Sequence, residues 1–142
     1  MSLWRREAMA VFPDRLPIIR QSTSLVDVWF TLHEDLQGAY RSDPQNADLI
    51  ARIWRFAAWC YSPLRHRSVR NAVAVAFYEH LPHFGPARRA LPEHLDRATF
   101  EELIPAFKST MSKSELTELV SEFMKAKGVK GPELKLALER AS

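Results

Sequence analysis

Glycine and cysteine are scarce in this chain. Its 142 residues include four glycines and one cysteine. Gly38, Gly85, Gly128 and Gly131 are scattered, so neither a phosphate-cradling glycine loop nor a Gly-x-Ser-x-Gly nucleophile turn is present. The lone Cys60 excludes an intramolecular disulfide. It lies within the apolar stretch 53–61 and reads as a small buried hydrophobe, not a nucleophile. One reduced cysteine suits a reducing, cytoplasmic setting. Long hydrophobic runs are also missing. The longest, Ala72 to Tyr78, has seven residues, against the roughly 20 that span a bilayer. No apolar stretch follows the charged start Met1 to Glu7, so neither a secretory leader nor a membrane partner is expected.

Lysine is absent from the first half. Up to Arg70 the chain has ten arginines, no lysine and seven acids, a net +3; from Asn71 onward ten bases balance ten acids. The chain's overall +3 is therefore arginine in the first half. Arginine makes planar, two-pronged contacts with carboxylates and phosphates, where lysine offers a point charge. That balance permits an acidic partner without demanding one.

What is present is globular in character. Apolar residues make up 46% and charged residues 26%, near the average for folded domains. A chain of this length buries roughly 68% of its extended surface, so it needs no metal or disulfide to fold. One all-helical domain over 1–142 is expected, a bundle of six or seven helices. Residues 1–21 read as an N-terminal helix and loop, with Pro13 to Pro17 as the loop. Residues 129–142 read as a short, peripheral helix opened by Pro132.

Between these ends the punctuation is legible. Ser24, three residues before Asp27, starts a helix whose apolar face is Leu25, Val28, Trp29, Leu32 and Leu36, fading at Gly38. Asp43-Pro44 reads as the start of a second, running to Tyr61 with Asp48, Arg52 and Arg55 as its single charged stripe. Ser68 is expected to cap a third, from Val69 to Leu81, stopped by Pro82. Its apolar run suits a buried strand by composition alone, but three alanines and the helical neighbours favour helix. Helices 44–61 and 68–81 form a central antiparallel hairpin. Gly85 to Pro92 reads as irregular. Asp96 caps a helix through Phe107 that Pro105 kinks or ends. Ser112 with Glu115 is a capping box, and Gly128 is the matching C-terminal stop.

Signals for catalysis are weak. His80 and His83 stand three apart beside Glu79, and His94 follows. Zinc takes such ligands, but Pro82 breaks the helical presentation they would need. Adjacent acids such as Glu34-Asp35 and Glu101-Glu102 point about 100° apart on a helix and cannot act as a pair. No catalytic residue, cofactor or metal ligand is assigned.

The sharpest local feature is Arg65-His66-Arg67-Ser68-Val69-Arg70. With Arg52 and Arg55 on the preceding helix it builds a basic edge. Arginines near a helix start oppose the helix dipole, which makes their clustering slightly less casual, the alternative being an ordinary solvated turn. Trp59, four residues after Arg55, either joins them, arginine with tryptophan being a composition typical of binding hot spots, or packs under the N-terminal segment. The expected partner-binding residues are Arg52, Arg55, Trp59, Arg65, His66, Arg67 and Arg70. Asn71 and Glu79 flank the apolar run and read as structural polar anchors, with Arg55 or Arg70 as candidate partners for Glu79.

Residues Val69 to Leu81, an alanine- and valine-rich helix with Asn71 at its start and Phe77-Tyr78-Glu79 near its end, resemble a segment of small bacterial all-helical proteins. Some of those are immunity-like, binding partners in toxin systems. The resemblance spans thirteen residues and transfers no catalytic group. It implies a helical, partner-binding role with Asn71 and Glu79 as structural groups. Three functions follow in order of expectation. The first is a non-enzymatic module that binds a protein of acidic surface through the edge from Arg52 to Arg70. The second is nucleic-acid binding through the same arginines. The third is a metal-dependent enzyme using His80, His83 and His94.

Overall fold

Local capping signals and three- and four-residue apolar spacing resolve into nine α-helices in the computed structural model, which describes residues 1–142. They are α1 (Leu3–Val11), α2 (Leu16–Gln21), α3 (Leu25–Arg41), α4 (Ala47–Tyr61), α5 (Arg67–Ala76), α6 (Gly85–His94), α7 (Arg97–Lys108), α8 (Lys113–Ala126) and α9 (Gly131–Ala141). Short 3-10 turns occupy Pro13–Arg15 and Tyr78–His83. No strand forms, so the expected all-helical class holds, with more and shorter helices than six or seven. Contacts cluster into two compact units, Met1–Phe77 and Tyr78–Ser142.

In the first unit α3, α4 and α5 pack on one another, and α1 lies against α4. Trp29, fully buried, is central. It stacks on Phe56 at 5.2 Å and meets Phe77 at 4.6 Å. Trp54 meets Phe77 edge-on at 5.8 Å, and Phe12 meets Phe56 edge-on at 5.6 Å. Each such pair adds about 0.5–1.5 kcal/mol beyond burial. A two-pronged ion pair from Arg15 to Asp35, at 2.9 and 2.5 Å, ties the first 3-10 turn to α3.

In the second unit the 3-10 turn 78–83 packs on α6 and α7, and α8 packs on α6, α7 and α9. Phe100 stacks on Phe123 at 3.8 Å and lies 5.5 Å from Phe107. The Ser112 capping box forms in full. Gly128, at φ +79°, ends α8: its N–H donates to the Lys125 carbonyl, and that of Val129 donates to Met124. This paired left-handed stop is the one that glycine makes easiest.

Several expectations need correction. Asn46, not Asp43, caps α4, which starts at Ala47; the Asp43–Pro44 peptide is cis and lies before the helix. Pro17 does not hold a loop open. It sits in the first turn of α2, where no backbone N–H is needed. Pro86 plays the same part in α6, so the stretch read as irregular is a ten-residue helix. Gly38 lies within α3. The apolar run Ala72 to Tyr78 is not one helix. α5 stops at Ala76, and Phe77 leaves helical geometry to enter the aromatic cluster. The central hairpin is instead part of a three-helix packing, with α3 against both α4 and α5. Val75 stays 55% exposed, so α5 is not a wholly buried arm.

Candidate functional site

The basic edge is built where α4 ends, turns through 62–66 and re-enters as α5. The last carbonyls of a helix lack partners within it. Here arginine supplies them. Arg65 Nε donates to the Trp59 carbonyl at 3.2 Å, and its guanidinium lies 3.9 Å from the centre of the Trp59 ring. Arg70 Nε donates to the Tyr61 carbonyl at 3.0 Å, its guanidinium 4.5 Å from the Tyr61 ring. Positive charge beside a helix C-terminus is favourable. The dipole penalty expected for arginines at the start of α5 is therefore offset by the end of α4. Trp59 is half-buried and stacks on Phe56 at 5.9 Å.

Arg52 is also held. Its Nε donates to Asp48 at 2.8 Å, and its Nη1 reaches the Val11 carbonyl at 3.1 Å and Asp14 at 3.4 Å. It thus closes the end of α1. His66, not Ser68, caps α5: its Nδ1 accepts the Ser68 N–H at 3.1 Å. The turn is itself bonded, with Ser62 Oγ accepting from the Leu64 N–H at 3.2 Å and the Ser62 carbonyl from the Arg65 N–H at 2.9 Å.

That leaves Arg55 and Arg67 exposed, with Leu64 between them in sequence and 84% exposed at the tip of the turn. Leu64 is an exposed apolar side chain that the sequence pattern did not single out. Its signal was the motif Pro63-Leu64-Arg65, in which proline and arginine leave no helix for the leucine to bury against.

The remaining residues separate. Asn71 stands exposed on α5 and is not a buried anchor. Glu79 links the 78–83 turn to the end of α7: its carboxylate accepts from Ser109 Oγ and its carbonyl from Thr110 Oγ1. Ser109, not Arg55 or Arg70, is the partner found. His83 Nε2 lies 3.0 Å from Thr110 Oγ1. Burial holds the His94 ring below its usual pKa, with Glu93 opposing. No three or more His, Cys, Asp or Glu side chains gather as metal ligands would. Cys60 is fully buried, and that burial pushes its thiol up to about 12. The Trp29 indole N–H has no hydrogen-bond partner of ordinary geometry, and its pull on the sulfur is the weaker effect. A thiol of this kind is inert at neutral pH.

Compared with known protein families, with curated proteins and with solved structures, the chain matches none.

Proposed function

We propose that the protein is a non-enzymatic, cytoplasmic helical module that binds another protein of acidic surface. Leu64, Arg55 and Arg67 make the contact. Trp59, Arg65, His66 and Arg70 hold the turn behind them, while Arg52 holds the end of α1. The observation that carries this reading is Leu64: a large apolar side chain, 84% exposed, at the tip of a hydrogen-bonded turn in a stretch whose Arg55 and Arg67 are exposed. An apolar anchor within a basic rim is what a protein partner with an acidic rim of its own recognises. The resemblance to immunity-like bacterial proteins supports the same direction. Nucleic acid ranks lower, because three of the five edge arginines are already engaged with carbonyls and phosphate binding draws on many free cations at once.

The test is a cross-linking capture with three baits: the wild type, the double variant Leu64→Ser, Arg67→Glu, and the control Lys113→Glu. Both altered edge side chains are exposed, so the fold survives. A protein retained by wild type and control but lost by the double variant supports the proposal. The same proteins on all three baits refute it. Retention that nuclease abolishes, and that falls steeply with salt, assigns the edge to nucleic acid instead.

A further inference from the structure

A cleft of about 480 Å³ opens between α6 and α8 in the second unit. That volume lies within the range of small-molecule sites. Leu91, Pro92, Leu119 and Phe123 make its floor apolar. One polar wall is closed on itself. Arg88 Nε and Nη2 donate to the two oxygens of Glu122 at 2.7 and 2.9 Å, a two-pronged pair that cancels both charges. Arg88 is further fixed by the Pro82 carbonyl at 3.4 Å.

Arg89 is different. It lines the same cleft, is exposed and forms no ion pair. Its guanidinium folds back over Gly85, where an added methyl carbon would come within 3.1 Å of Nη1. α6 has no side-chain cap, so its first-turn N–H groups add partial positive charge at that end. The cleft therefore presents an apolar floor, a neutral wall and one uncompensated cation.

We propose that this cleft binds a small aromatic carboxylate, with the ring on Leu119 and Pro92 and the carboxylate on the Arg89 fork. Planar guanidinium and carboxylate match prong for prong. Phe123 stacks its face on Phe100 at 3.8 Å, so within the cleft Pro92 is the ring surface that a planar ligand meets. A monoanion is the match, because Arg88 is committed to Glu122 and leaves Arg89 as the one lining cation free to pair with a ligand. This ligand site is separate from the protein-binding edge in the first unit and does not depend on it.

The probe is 2-naphthoate, with neutral 2-naphthamide as its match in shape, titrated into the full chain and followed by amide resonances. Saturable shifts confined to 85–92 and 119–126 are expected, with the amide at least about tenfold weaker. Arg89→Gln should weaken 2-naphthoate about tenfold and leave the amide unchanged. Ala126, exposed and on the cleft wall, tests occupancy: Ala126→Phe should abolish binding of both probes without loss of helicity. The proposal is overturned if acid and amide bind alike, if Arg89→Gln binds 2-naphthoate as tightly as wild type, or if shifts are absent or fall elsewhere.

Discussion

Four of the ten arginines in the first unit work against helix ends. Arg5 donates to the Ile19 and Ser22 carbonyls at the close of α2. Arg52 does so at the close of α1, and Arg65 and Arg70 at the close of α4. One side chain type thereby satisfies carbonyls that would otherwise rely on water. A hydrogen bond from a charged donor contributes about 1.5–3 kcal/mol when buried and less at a surface. Arg70→Ala is therefore expected to lower stability by about 1 kcal/mol. Arg67→Ala, exposed and uncommitted, should stay within about 0.5 kcal/mol. Urea unfolding followed by tryptophan emission decides, and equal losses in the two variants would remove the capping role. The Cys60 thiol, pushed up to about 12 by burial, should ignore a thiol reagent at pH 8 in the folded protein and react fully in denaturant. Labelling of the native protein at the rate of the denatured one would contradict its placement.

The caps explain which elements could be read in advance. Ser24, Asp96 and Ser112 each accept a backbone N–H three residues on. That bond is local, so sequence spacing alone reveals it. Proline misled where it was taken only as a breaker: Pro17 and Pro86 begin helices, and Pro92 and Pro105 sit inside them. The end of α5 was illegible for another reason. Phe77 leaves the helix for contacts with Trp29 and Trp54, residues 48 and 23 positions away in sequence, and no local pattern encodes that pull. The arginine edge was half legible. Sequence gathered its residues but could not show that three of them face carbonyls, because that depends on how the chain turns back at 62–66 for Arg65 and Arg70 and on how α1 packs against α4 for Arg52. The caps also carry a pH dependence. The Thr99 N–H holds the Asp96 carboxyl below its ordinary pKa. A depressed folded pKa means that this contribution is present above the unfolded pKa and lost as pH falls through the folded one. Asp96→Asn should keep the cap and flatten part of the acid-side loss, whereas Asp96→Ala should cost about 1 kcal/mol at pH 7. Urea midpoints at pH 7 and pH 3 test both. Identical acid slopes in wild type and Asp96→Asn would show that the cap does not titrate as argued.

At the scale of the chain, charge and aromatic content divide with the two units. Residues 1–77 hold ten arginines against seven acids and all four tryptophans; residues 78–142 have balanced charge and no tryptophan. Tryptophan emission of the whole protein therefore reports the first unit alone. That unit has its own aromatic core, with Trp29, Phe56 and Phe77 essentially inaccessible to water. A unit this small buries only about 60% of its extended surface, so its stability is narrow. Residues 1–77 produced alone are expected to stay helical and keep the blue-shifted emission of the full chain, because Trp29 and Trp54 are enclosed by partners from the same unit. Emission at the denatured position would mean that this core does not suffice. Phe77→Ala supplies the complementary measurement. It removes the ring that meets both Trp29 and Trp54, and truncating a buried phenylalanine costs about 3–5 kcal/mol. In so narrow a unit that loss approaches the whole stability. The variant's tryptophan emission should therefore move to the red at far lower urea than that of the wild type.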